Sequence, residues 1–255
     1  MLSEERQRAI REILRRDGRV VVADLAKHFH TSLVTIRKDL EILHMKGQIH
    51  RTHGGALSVH EGALEDRTLG EKEKLHRKEK LQIAAAAVRM VSEGQVVILD
   101  SGTTTTAIAR ALRDFQNLTI ITNAVNIAAE LSRSSLEVIL TGGNLRKNSF
   151  SLVGPIAEET LHRLNADILF LGVDGFDVQY GLSTPNLLEA KVNRAMMDIS
   201  RVAVAVCDSS KFGKRSLSLI ASPTSLQNVI TDRGIPKADL NALKTSGVEV
   251  TVVST

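Results

Sequence analysis

The chain has no tryptophan, one tyrosine and six phenylalanines in 255 residues, which argues against base-stacking platforms for single-stranded nucleic acid. Its one cysteine, Cys207, makes neither an internal disulfide nor a cysteine-based metal cluster, so a secreted disulfide scaffold and a zinc finger are both excluded. Long hydrophobic runs are missing as well. No stretch approaches the roughly 18 apolar residues of a membrane helix, and Met1 leads into Ser3-Glu4-Glu5-Arg6 without a signal core. A soluble cytoplasmic protein without a membrane partner is expected. With 43% hydrophobic and 24% charged residues the bulk is too apolar for disorder, and 255 residues exceed the usual size of one domain.

The charge is unevenly placed. Residues 1–60 carry 11 Lys+Arg against 7 Asp+Glu, and the remainder carries 22 of each. Six of the eight histidines (His28, His30, His44, His50, His53, His60) lie in the same first quarter. A small basic domain on a neutral larger one is the footprint of a nucleic-acid reader with a separate regulatory or catalytic body.

The periodicity predicts three short helices and a hairpin over 1–57. Ser3 can cap the first, with Glu4 and Glu5 at its start, Ile10, Ile13 and Leu14 inward and Gly18 as its stop. Val22, Leu25, Ala26 and Phe29 form the stripe of a second. Thr31 or Ser32 caps a third, in which Leu33, Ile36, Leu40 and Leu43 share a face until Gly47. Residues 48–53, bounded by Gly54-Gly55, read as a hairpin or wing. Residues 58–76 are polar and read as a linker. From 77 to 255, short apolar runs at 96–99, 118–122, 136–141, 168–173, 202–206, 228–231 and 248–253 alternate with helical stretches. Continuous rather than alternating apolar runs suit strands buried on both faces, hence a Rossmann-like parallel α/β domain.

Helix, break, helix is the helix-turn-helix pattern, whose second helix enters the DNA major groove. With Ile36, Leu40 and Leu43 buried, Val34, Lys38, Glu41 and Met45 lie opposite. Ser32, Thr35, Arg37 and Lys38 can then reach bases and phosphates, and Arg51 and His53 on the wing can lie over the backbone. His28, His44 and His60 carry no functional reading.

In the larger domain, the run at 96–99 leads into Asp100-Ser101-Gly102-Thr103-Thr104-Thr105-Thr106 and a helix. Glycine and hydroxyls at such a turn put free N–H groups at a helix N-terminus, an anion site. Neither a nucleotide P-loop nor a dinucleotide glycine motif is present, so a small phosphate ester fits better. Asn123, Gly142, Gly143 and Asp174 also follow strands, where ligands of open α/β sheets gather.

Thr35-Ile36-Arg37-Lys38-Asp39-Leu40, Leu43, Gly47 and Arg51-Thr52-His53-Gly54-Gly55-Ala56 together resemble the DNA-binding signature of the DeoR family of bacterial transcriptional regulators. The resemblance continues through Asp100-Ser101-Gly102-Thr103-Thr104-Thr105, Thr122-Asn123, Thr141-Gly142-Gly143, Leu171-Gly172-Val173-Asp174-Gly175 and Asp208-Ser209-Ser210-Lys211, and covers nearly the whole chain. It implies a winged helix-turn-helix joined to a sugar-phosphate-sensing domain in an oligomeric repressor of carbohydrate genes. Two positions depart from the pattern: His30-Thr31 stands where the family often has Gly-Val, and Lys38 where a second arginine is common.

The larger domain also resembles ribose-5-phosphate isomerase, with Asp174 and Asp177 at the spacing of its paired aspartates and Glu189, Lys191 and Lys211 nearby. That enzyme follows the pair with a Lys-Gly-rich loop, whereas here stands Gly181-Leu182-Ser183-Thr184-Pro185-Asn186. An enediolate needs a cation there, so binding without turnover is expected. Asp177 reads equally as a turn residue, and Glu189 as a sugar-hydroxyl ligand or a surface residue. The expectation is therefore a repressor, not an enzyme, that binds double-stranded operator DNA as a homo-oligomer. Its effector is a phosphorylated sugar, held by Asp100, Ser101, Gly102, Thr103, Thr104, Thr105, Asn123, Gly142, Gly143, Asp174, Glu189 and Lys211, without metal or cofactor. The alternative is an isomerase-like enzyme with an accessory nucleic-acid domain.

Overall fold

The computed structural model describes residues 3–17, 19–46, 49–52, 54–58 and 66–254. Contacts divide the chain into two compact units, Met1–Glu65 and Asp66–Thr255.

The first unit holds α1 (Ser3–Asp17), β1 (Arg19–Val21), α2 (Val22–His28), α3 (Leu33–Met45), β2 (Ile49–Thr52) and β3 (Gly55–Ser58). Ile10 and Leu14 of α1, four apart and so on one helix face, close with Leu25, Ile36, Leu40, Leu43 and Ile49 over one core. Each such buried aliphatic side chain contributes about 1.5–3 kcal/mol. Leu33, expected inward, is 46% exposed. It is the first residue of α3, and the core closes one turn further in, over Ile36.

The turn between α2 and α3 explains the departure at His30-Thr31. His30 has φ 48°, the left-handed conformation usually given to glycine at a helix end. The Thr31 amide donates to Ala26 O at 3.0 Å and the His30 amide to Lys27 O at 3.2 Å, closing both bonds of a Schellman motif. Ser32, not Thr31, caps α3, accepting from the Thr35 amide at 3.1 Å.

The expected hairpin is present, and β1 extends it to a three-stranded antiparallel sheet of order β1-β3-β2 that the sequence did not announce. Gly55 is required there: a Cβ would stand 1.8 Å from Val20 O. Gly18, Gly47, His53 and His60, each given a reading above, lie outside the described residues.

The second unit carries helices α4 (Leu69–Glu73), α5 (Arg77–Val88), α6 (Thr103–Ala111), α7 (Val125–Leu131), α8 (Pro155–Leu161), α9 (Leu187–Asp198) and α10 (Lys237–Thr245). Its strands are β4 (Val96–Leu99), β5 (Thr119–Thr122), β6 (Glu137–Leu140), β7 (Asn144–Arg146), β8 (Ser151–Val153), β9 (Ala166–Leu171), β10 (Gly175–Asp177), β11 (Gly181–Thr184), β12 (Ser200–Val206), β13 (Ser218–Ala221), β14 (Asn228–Asp232) and β15 (Glu249–Val253). Seven of them form one sheet of order β15-β14-β12-β9-β4-β5-β6, parallel throughout. These are the seven expected runs. In β4, β5 and β9 the continuous apolar character has the anticipated cause: Ile98, Ile121 and Leu169 face one hydrophobic cluster, while Val97, Leu99, Ile120 and Phe170 face the other; the edge strands β6 and β15 are largely exposed.

Residues 66–76 are not a solvated linker. Thr68 and Glu71 form a reciprocal capping box on α4, and the Leu69 amide donates to Asn148 O at 2.7 Å. Of the mixed-charge run Glu71-Lys72-Glu73-Lys74, Glu71 bonds Thr68, Lys72 pairs with Asp174 and Glu73 with Arg110, all within the second unit. Among the described residues no helix is long and apolar enough to cross a membrane.

Candidate DNA-reading face and ligand site

On α3 the buried side is tied down by Asp39. This carboxylate, 2% exposed, accepts from Arg6 Nε at 2.5 Å, Ser3 Oγ at 2.9 Å and Gln7 Nε2 at 3.1 Å. Ser3 therefore links α1 to α3 and is not the free cap expected. Burial opposes the charge of Asp39, but the bonds from Arg6, Gln7 and Ser3 outweigh it and hold the carboxyl below its ordinary range.

The opposite side of α3 is open. Val34 and Met45 are 71% and 72% exposed, and Arg37 and Lys38 are exposed with no side-chain partner among the described residues. The other expected DNA contacts are differently placed. Ser32 and Thr35 hydroxyls lie 2.8 Å apart and serve the helix cap. Arg51 reaches from β2 back to α3, donating to Arg37 O and Glu41 Oε2 at 3.0 Å each.

In the second unit, β4 ends at Leu99 and the chain turns into α6 through Asp100-Ser101-Gly102. Gly102 has φ +151°, open to glycine and strained for other residues. The first amides of α6 have no intrahelical acceptor, which leaves them available to an anion. Ser101, Gly102 and Thr103 are half-buried at this turn, whereas Thr104 and Thr105 are buried. The Thr105 and Thr106 hydroxyls donate to Gly102 O at 3.0 and 2.6 Å, so that of Thr105 is not pointed at a ligand as expected.

Asp100 is 3% exposed and accepts from the Gly172 amide at 3.2 Å. Burial, reinforced by Glu189, pushes its carboxyl up to about 8, so near neutral pH it is largely a protonated donor. Two residues beyond Gly172, Asp174 meets Lys72 Nζ at 2.6 Å and Lys211 Nζ at 3.8 Å. Burial works against its charge, but Lys72, Lys211 and Arg146 hold the carboxyl below the usual range. Glu189, buried rather than on the surface, accepts from Ser149, Ser151 and Arg146 at 2.5, 2.8 and 3.0 Å and from Thr184 at 3.1 Å. Arg146 also pairs with Asp66.

The fold thus joins the predicted Asp100, Asp174, Glu189 and Lys211 to Lys72, Arg146 and Asp66, which sequence reasoning missed. Lys80 supports them. Its buried Nζ donates to Lys72 O and Leu75 O at 2.5 and 2.6 Å, and burial pushes it down to about 8, with Asp208 opposing and Lys211 and Lys72 adding to the fall. Asn123 is 1% exposed, donates to Leu152 O at 3.4 Å and has no hydrogen-bond partner on its Oδ1 among the described residues, and Gly142-Gly143 turn the chain from β6 into the β7–β8 hairpin, where a Cβ on Gly143 would stand 2.7 Å from Val153 O. Asp177 is a turn residue, paired with Arg215 at 2.7 Å and accepting from the Gln179 and Tyr180 amides.

A helix-turn-helix unit with a solvent-facing basic helix, followed by an α/β unit with a polar cluster at the carboxyl edge of its sheet, defines a DNA-binding regulator with a sensor domain. The DeoR-like helix-turn-helix domain matches residues 6–62, and the DeoR C terminal sensor domain matches residues 75–233. The chain belongs to the DeoR family of transcriptional regulators. It is 40% identical to a putative aga operon transcriptional repressor of Escherichia coli O157:H7, covering 98% of this chain and 94% of that protein. It is 41% identical to the HTH-type transcriptional regulator GlpR of Haloferax volcanii, covering 98% of each. Ribose 5-phosphate isomerase A of Methanocaldococcus jannaschii aligns over 53% of this chain and 54% of its own at 17% identity and TM-score 0.41, too slight to bear on activity.

Proposed function

We propose that this regulator is a repressor of carbohydrate genes whose operator affinity changes when a phosphorylated sugar enters the second unit. The observation that carries the reading is a polar cluster at the sheet edge, where Lys72 and Lys211 pair with Asp174 and Arg146 with Glu189, and Asp100 leads into the N-terminus of α6. The α6 amides receive the phosphate, and the carboxylates and cations take the sugar hydroxyls, each of which both donates and accepts. Arg37 and Lys38 contact operator bases or phosphates, and the exposed Val34 offers an apolar contact to a thymine methyl. Ser32, Thr35 and Arg51 hold the helix and wing in place for this.

Binding without turnover rests on relatives named as regulators: residues 181–186 bring no lysine, but Lys72 and Lys211 stand beside Asp174. A homo-oligomer belongs to the proposal, since one winged module buries little DNA surface and specific affinity comes from paired half-sites. The repressor sense rests on relatives named as repressors, among them AccR of Agrobacterium fabrum at 38% identity. A 32% identical relative in Haemophilus influenzae is named an L-fucose operon activator, so the sign of the response is itself a test outcome. Thermal-shift screening against sugar phosphates, followed by operator titration with each hit and an assay for its conversion, tests the reading. A hit that is bound unconverted and shifts operator affinity supports it. A rapid conversion of the hit would favour an enzyme.

A further inference from the structure

We infer that Arg146 is an oxyanion-binding residue of the sensor site and that Asp66 is its built-in competitor. The inference rests on the proposed sensor site and adds to it a second anion position and a means of regulation.

The two carboxylates on Arg146 are held very differently. Glu189 accepts from three hydroxyls besides Arg146, is buried, and is part of the scaffold. Asp66 is held by Arg146 and by Asn148 Nδ2 at 2.9 Å, and its side chain is 23% exposed against 8% for Glu189. Asp66 comes from a remote part of the chain, 80 residues from Arg146, at the first position of the second unit. It is the exchangeable acceptor. Its departure would leave the Nη2 of a guanidinium that is 15% exposed without its charged acceptor, so only another oxyanion, a phosphate or carboxylate group, replaces it at low cost.

Asp66 is also the residue at which the second unit begins. An anion on Arg146 therefore frees the start of 66–76, while Leu69–Asn148, Lys72–Asp174 and the Lys80 bonds to Lys72 O and Leu75 O hold the rest. A latch closed most of the time lowers apparent affinity by its closed fraction, and opening it restores that affinity.

The test uses the full chain with inorganic phosphate as probe. Asp66→Asn and Asp66→Ala should tighten phosphate binding by roughly tenfold in calorimetry, as expected when a competitor occupying about nine-tenths of the site is removed. Asp66→Asn/Arg146→Gln should lose that gain. In wild type, phosphate should speed tryptic cleavage after Arg67, and both single Asp66 variants should be cleaved fast without it. Unchanged phosphate affinity in both folded Asp66 variants, or a gain that survives Arg146→Gln, overturns the inference. Loss of phosphate binding in Gly102→Val alongside unchanged Asp66 variants would leave the sensor reading standing and remove only the latch. An Arg146-dependent gain untouched by Gly102→Val would do the reverse.

Discussion

The guanidinium of Arg51 donates to the main-chain oxygen of Arg37 at 3.0 Å, so the wing is hydrogen-bonded to the helix whose exposed face carries the basic residues. Arg51→Ala removes that bond and the one to Glu41. Such partly exposed bonds are worth about 0.5–1.5 kcal/mol, so a modest fall in melting temperature and a clear loss of operator affinity are expected. Glu41→Gln keeps the bond to Arg37 and should retain affinity. Gel-shift titrations of the two variants at fixed salt check this, and equal affinities would assign Arg51 to no positioning role.

Arg37→Ala/Lys38→Ala should leave folding intact, because both side chains face solvent. Base-specific contacts are worth about 1–3 kcal/mol each, so operator binding should fall by orders of magnitude. Gel-shift titration measures it, with circular dichroism as the folding control.

Asp39→Ala should destabilise the first unit strongly. It strips Arg6, Gln7 and Ser3 of their shared acceptor, and breaking a buried pair costs about 3–5 kcal/mol. The folded carboxyl is depressed relative to the unfolded one. Its contribution is therefore present above the ordinary carboxylate range and is lost as pH falls through the depressed value. Acid unfolding followed by circular dichroism should show this step in wild type and not in Asp39→Asn.

Asp100 behaves oppositely. Its folded value is raised to about 8, so its contribution is complete below the unfolded carboxylate value and is lost progressively as pH rises to about 8, at no more than about 1.4 kcal/mol per pH unit. Asp100→Asn should flatten this dependence. Melting temperatures of the second unit at pH 5 and pH 8 in both proteins decide it.

The central sheet strands were legible because a strand buried on both faces must be apolar along its length, and the edge strands β6 and β15, largely exposed, were legible from their β-branched and aliphatic residues. The small strands β7, β8, β10, β11 and β13 carry polar residues in runs of three or four, too short for a period to show. The proposed ligand site was half legible. Asp100, Gly102 and Asp174 stand where strands end, so topology points to them. Lys72 and Asp66 sit in a charged tract that reads as linker, and they meet Asp174 and Arg146 across 102 and 80 residues of chain. No local pattern encodes such pairings. Thr105 shows the converse error: a hydroxyl in an anion-loop motif is spent on the helix itself, so Thr105→Val should leave ligand affinity unchanged.

Sugar-phosphate binding at Gly102 is proposed to change operator affinity. A side chain at φ +151° is strained, and Gly102→Val should block ligand approach while Arg37 and Lys38 remain unaltered. Operator affinity, measured with and without the sugar phosphate that stabilises wild type, is the decisive comparison. Wild type should change its operator affinity on adding ligand, and folded Gly102→Val should bind operator normally and not respond, because a ligand without differential binding shifts no equilibrium. A variant that binds the ligand and responds as wild type does would contradict the account.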